Sequence, residues 1–135
     1  MSTCLIVEDS GVIREIAARI ARDMGFDVIE SESAAEGVDR CRAARPDVVL
    51  LDWDLPSLGA LDFLRGIGEL APEARPPIVL CATENDPQQF MLAKAAGAGR
   101  HILKPFTRDE LEAIFAEIGV ARSAETAAEP RVATL

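Results

Sequence analysis

The chain has 135 residues, 49% of them hydrophobic, enough for one ordinary core and too few for two domains of usual size. With 23 acidic against 14 basic residues its net charge is -9, the wrong sign for a nucleic-acid backbone or an anionic membrane surface, and no segment reaches membrane-spanning length. Nucleic-acid and membrane partners are therefore not expected.

Thr3 to Val7 is a short apolar run that ends at Glu8-Asp9. Met1-Ser2-Thr3 lead into it with no basic stretch and no longer apolar run, so a cytoplasmic protein is expected. Ser10 caps a helix in which Val12, Ile13, Ile16, Ala17, Ile20 and Met24 recur at three- and four-residue steps, with Arg14, Glu15, Arg19, Arg22 and Asp23 on the other faces. Gly25 ends it. Phe26 to Glu30 reads as a second strand, and Ser31 or Ser33 starts a second helix through Val38, Cys41 and Ala44. After Pro46 comes the unbroken apolar run Val48-Val49-Leu50-Leu51, the pattern of a central parallel strand buried on both faces, with Asp52 at its carboxyl end.

A third helix is expected from about Ala60, with Leu61, Phe63, Leu64, Ile67 and Leu70 facing inward, followed by a Pro72 to Pro77 linker. Ile78 to Cys81 is a further buried strand. Asp86-Pro87 caps a fourth helix that Gly97 and Gly99 terminate. Arg100 to Leu103 is the last strand, Lys104-Pro105-Phe106 a turn, and Thr107 with Glu110 has the spacing of a capping box for a fifth helix. Cys4, Cys41 and Cys81 show no metal-type spacing and read as buried, reduced thiols. One domain is expected over residues 1–119, followed by a flexible C-terminal tail over 120–135.

Five strand-helix units in succession imply an α/β fold, a doubly wound five-stranded parallel sheet with five helices. In the flavodoxin-like strand order 2-1-3-4-5 the ends of strands one and three adjoin at the switch point, so Glu8, Asp9 and Asp52 converge in one crevice. Clustered anions are tolerable with a cation or with raised pKa values, and an all-oxygen donor set suits Mg2+, or Mn2+ in its place, rather than zinc. Lys104 at the end of the fifth strand supplies a fixed positive charge. A nucleophilic carboxylate, a metal and an ammonium group meet the needs of phosphoryl transfer, in which positioning and charge neutralisation do most of the work.

Leu5-Ile6-Val7-Glu8-Asp9-Ser10, Leu50-Leu51-Asp52-Trp53-Asp54-Leu55-Pro56, Ala82-Thr83-Glu84-Asn85-Asp86, Ala96-Gly97-Ala98 and Lys104-Pro105-Phe106 together resemble the receiver domain of two-component response regulators, in its stand-alone, CheY-like form. The resemblance covers about Thr3 to Gly119. It implies that Asp52 accepts a phosphoryl group from a phosphohistidine of a histidine kinase or phosphotransfer protein. Glu8, Asp9, Asp52 and the Asp54 backbone carbonyl would hold Mg2+, and Lys104 would contact the phosphoryl group. It also implies that a downstream protein binds the face formed by helix 4, strand 5 and helix 5. Such a protein is a phosphoryl-accepting signalling protein, not an enzyme, although it assists its own phosphorylation and dephosphorylation.

The sequence departs from the family at several positions. Ala82 stands where a Ser or Thr is usual, and strand alternation is expected to turn the hydroxyl of Thr83, a doubtful substitute, away from the pocket. His101 occupies the position of the usual switching aromatic, and Asp54 and Glu84 are acids where water attack on the acyl phosphate is tuned. Gly59-Ala60 replaces a common Asp-Gly pair, which is expected to alter the stiffness of that loop. The expected function is a single-domain response regulator with weakened switching. The alternatives are a phosphate sink or shuttle, a constitutive interaction module and, lowest, a haloacid dehalogenase-like hydrolase suggested by the spacing of Asp52 and Asp54.

Overall fold

The computed structural model describes residues 2–119; the expected tail, 120–135, lies outside the described residues. Strands β1 (Thr3–Val7), β2 (Asp27–Ser31), β3 (Val48–Asp52), β4 (Ile78–Ala82) and β5 (Arg100–Leu103) form one parallel sheet in the order β2-β1-β3-β4-β5. Helices α1 (Gly11–Asp23), α2 (Ala34–Ala44), α3 (Gly59–Gly68), α4 (Pro87–Ala95) and α5 (Arg108–Glu117) alternate with the strands. This is the expected flavodoxin-like doubly wound arrangement.

Local chemistry starts each helix where its sequence signals stand. Ser10 accepts from the Ile13 N–H, Ser33 from Glu36, and Asp86 from Gln88 and Gln89, while Thr107 and Glu110 complete a reciprocal capping box. Side chains alternate along the strands and so divide the core into two layers. Cys4, Ile6, Leu50, Val79 and Ile102 face α1 and α5, where they meet Ala18, Ala21, Met24, Leu111 and Phe115. Leu5, Val7, Val49, Leu51 and Leu80 face the other helices and meet Cys41, Phe63, Leu64, Ile67 and Ala93. All three thiols are buried, and burial pushes that of Cys81 up to about 12.

Helix α1 is seated differently from the apolar stripe of its sequence. Its buried positions are Ala17, Ala18 and Ala21, whereas Val12 and Ile16 are 70% and 53% exposed. Small side chains bring the helix close to the sheet and leave the larger ones along its flank. The loop after β3 also departs from expectation. Gly59 and Ala60 are ordinary helical residues at the start of α3, and the left-handed conformation falls on Ser57 (φ 57) and Leu58 (φ 61), at a cost of about 1 kcal/mol or more each.

Candidate functional site

Parallel pairing carries the ends of β1, β3 and β5 to one edge of the sheet. Val7 pairs with Leu51, Asp52 with Cys81, and Ala82 with Leu103. Backbone bonds continue the register past the strand ends: the Trp53 N–H donates to the Cys81 carbonyl and the Lys104 N–H to that of Ala82, both at 2.8 Å. The Lys104–Pro105 peptide is cis.

The Lys104 ammonium then lies 2.8 Å from Asp52 Oδ1, 3.1 Å from Glu8 Oε1 and 3.9 Å from Asp54 Oδ2. Asp52 and Glu8 are 2% and 4% exposed. Asp52 Oδ1 also accepts the Asp54 N–H at 2.9 Å, and Glu8 Oε2 accepts the Ser10 N–H at 3.2 Å, so backbone and lysine hold both carboxylates in place. One oxygen from each of Glu8, Asp9 and Asp52 falls within a cluster 4.8 Å across. Three hard oxygen donors this close together, two on buried residues and one on the exposed Asp9, fit a divalent cation such as Mg2+.

The cluster carries more negative charge than one lysine offsets, and its acid-base state reflects this. Burial, a hydrogen bond with Asp52 and repulsion from that carboxylate push Glu8 up to about 7, against the opposing pull of the Ser10 N–H and of Lys104. For Lys104, burial alone would favour the neutral amine. The hydrogen bonds and charges of Asp52 and Glu8 outweigh burial, and its pKa is raised.

A cavity of about 580 Å³ opens from this cluster. Its floor is Glu8, Asp9, Asp52, Asp54, Thr83 and Lys104; one wall is apolar, formed by Ile13, Ile16, Ala17 and Ile20 of α1 with Pro105 and Phe106. The sequence brought the acids and the lysine into view, because each ends a strand. The α1 part of this wall stayed hidden among residues that looked like core.

Of the departures noted in the sequence, Ala82 is buried at the last position of β4. Thr83 lies one residue past the strand, where the alternation expected to turn its hydroxyl away no longer applies. Its Oγ1 instead donates to Asp54 Oδ2 at 3.2 Å on the cavity floor. Glu84 is exposed and is not among the lining residues. His101 is exposed and stacks on Phe90 of α4, with ring centroids 3.8 Å apart. Two connections were not legible in the sequence. Trp53 donates its indole N–H to Gln89 of α4, and Arg14, placed by periodicity on an outer face, reaches back to the end of β1.

A family model for the response regulator receiver domain matches residues 4–116. The phosphate regulon transcriptional regulatory protein PhoB of Klebsiella pneumoniae is 31% identical over 109 residues, covering 81% of this chain and 48% of that protein. PhoB of Escherichia coli K12 is 29% identical over the same length, so the chain spans about half the length of the curated relatives it matches. Among solved structures, the Vibrio cholerae chemotaxis protein CheY4 superposes with a TM-score of 0.81 at 26% identity, covering 87% of this chain and 98% of that one. The family model spans most of the chain and the strand order is that of the CheY-like fold, so the chain belongs to the response regulator receiver domains of two-component systems.

Proposed function

We propose that this chain accepts a phosphoryl group on Asp52 from a phosphohistidine of a histidine kinase or phosphotransfer protein, and signals through phosphorylation-modulated protein binding. The observation that carries this reading is the buried Asp52 carboxylate held 2.8 Å from the Lys104 ammonium beside two further carboxylates. Asp52 attacks phosphorus in line, an O–P bond forms as the P–N bond of phosphohistidine breaks, and the imidazole leaves with the electron pair. Lys104 pairs with Asp52 and Glu8 before transfer and with a phosphoryl oxygen after it. Held by Glu8, Asp9, Asp52 and the Asp54 carbonyl, Mg2+ or Mn2+ would neutralise charge on the phosphoryl oxygens.

The donor protein approaches over the apolar wall of Ile13, Ile16, Ile20 and Phe106, since this wall shares one cavity with the acceptor. The downstream protein binds the α4-β5-α5 face, on which Met91, Leu92 and Leu103 are exposed. In this reading the chain is a cytoplasmic phosphoryl-accepting protein and not an enzyme in its own right. No described helix is long and apolar enough to cross a membrane. Ala82 supports a second reading, a phosphoryl sink or shuttle, because the methyl at the end of β4 offers the phosphoryl group no hydroxyl and transfer alone requires no switched face.

Incubation with acetyl phosphate and Mg2+, followed by intact mass, tests the acceptor. A phosphoryl adduct in wild type that is absent in Asp52→Asn is expected; labelling that persists in the variant sinks the assignment. Ile16→Asp is expected to slow transfer from a phosphorylated donor protein while labelling by acetyl phosphate stays at the wild-type rate. Equal slowing with both donors would contradict donor docking at α1.

A further inference from the structure

Among the described residues, the ion-paired arginines other than Arg14 are between 45% exposed, for Arg100 and Arg108, and 74%, for Arg19. Arg14 is 18% exposed. It lies in the second turn of α1, and its guanidinium donates through Nη1 to the backbone carbonyl of Glu8 at 2.8 Å and through Nε to Glu30 Oε1 at 3.1 Å. Arg22, two turns further along α1, supports the same glutamate at 3.5 Å. The side chain thus ties three elements together, and one end of the tie is the strand terminus that carries the Glu8-Asp9 pair.

A peptide unit is planar, so a bond that fixes the Glu8 carbonyl also fixes the peptide plane that joins Glu8 to Asp9, the backbone from which both carboxylate side chains depart. The guanidinium is suited to this because its N–H groups form a rigid fork that grips a carbonyl and a carboxylate together; a lysine ammonium is a point charge on a flexible stem. Resting on the reading of Glu8, Asp9 and Asp52 as a cation site, we propose that Arg14 is a positioning residue for divalent-cation binding, holding the β1 terminus in the geometry that places Glu8 and Asp9 together.

The charge of Arg14 works in the opposite direction. A cationic side chain near a cation site weakens binding, so a purely electrostatic role predicts tighter Mg2+ binding when Arg14 is removed, whereas a positioning role predicts weaker binding. Mg2+ would be titrated into wild type, Arg14→Gln and Arg14→Lys by calorimetry and by the fluorescence of Trp53, the only tryptophan, well below the melting temperature of each protein.

Both variants are expected to bind Mg2+ roughly tenfold more weakly, the loss typical of removing a group that orients a metal ligand. Arg14→Lys keeps the charge and most of the stem, and carries the test if Arg14→Gln does not fold. A variant that melts at lower temperature but binds Mg2+ with wild-type or higher affinity overturns the proposal and leaves Arg14 a merely structural role. Wild type that fails to bind Mg2+ removes the cation site itself, which is a different outcome from wild type that binds and variants that bind equally well.

Discussion

Glu8 is a carboxyl that the fold prefers to hold protonated, and this fixes the sign of its effect on stability. Its pKa rises from 4.5 to about 7 on folding, so between those values the folded state binds more protons than the unfolded one. Without metal, stability is expected to increase as pH falls through 7 and to level off near 4.5, by up to about 3 kcal/mol from this group. Urea midpoints at pH 8 and pH 5 check this. The increase should shrink in Glu8→Gln, and also in saturating Mg2+, which favours the ionised carboxylate; an unchanged pH profile in Glu8→Gln would remove Glu8 as its source. At Ala82, the missing hydroxyl leads to a second expectation. Ala82→Thr should enlarge the Trp53 fluorescence change on phosphorylation, because a hydrogen bond to a charged group contributes about 1.5–3 kcal/mol. A response no larger than wild type would show that the output face is coupled by another route. At this scale the sequence disclosed Glu8, Asp9, Asp52 and Lys104, since an acid or lysine that ends an apolar strand has one place to go. Thr83 was misread because strand alternation was carried past Ala82, where β4 ends and alternation no longer holds.

Helix positions were legible from caps and glycines, but the face each helix turns inward was legible only in part. In α1 the period allows several faces, and hydrophobicity favoured isoleucine over alanine; close approach to the sheet selected the alanines. Close approach also decides how α2 meets α3. A methyl group added at Gly66 would lie 2.7 Å from Val38 Cγ2, closer than atoms tolerate, and the β-branched valine has little freedom to turn aside. Overpacking of this kind costs about 1–3 kcal/mol, against about 1 kcal/mol gained when alanine replaces a helical glycine. Gly66→Ala is thus expected to be destabilising by about 1 kcal/mol. The cost should disappear when Val38→Ala is combined with it. A double-mutant cycle by urea denaturation measures the coupling, and additive effects would show that the helices shift apart instead of clashing.

At the scale of the molecule, the site exists only when the sheet is complete. Glu8 and Lys104 are 96 positions apart, and Asp52 comes from a third strand between them, so the unfolded chain does not hold the three carboxylates together. A cation that requires the cluster therefore binds the folded state alone and stabilises it by mass action, by about 2.7 kcal/mol at a concentration one hundred times its dissociation constant. The urea midpoint should rise accordingly while the denaturant slope stays the same, because unfolding exposes the same surface with or without the ion. The net charge of -9 supplies a competing cause, since any divalent salt screens repulsion among surface acids. Asp9→Asn separates the two. Loss of one ligand oxygen's charge should sharply reduce the Mg2+ increment if the ion sits in the cluster, whereas general screening would raise the variant's midpoint as much as that of wild type. Equal increments in both proteins would locate the cation elsewhere on the acidic surface.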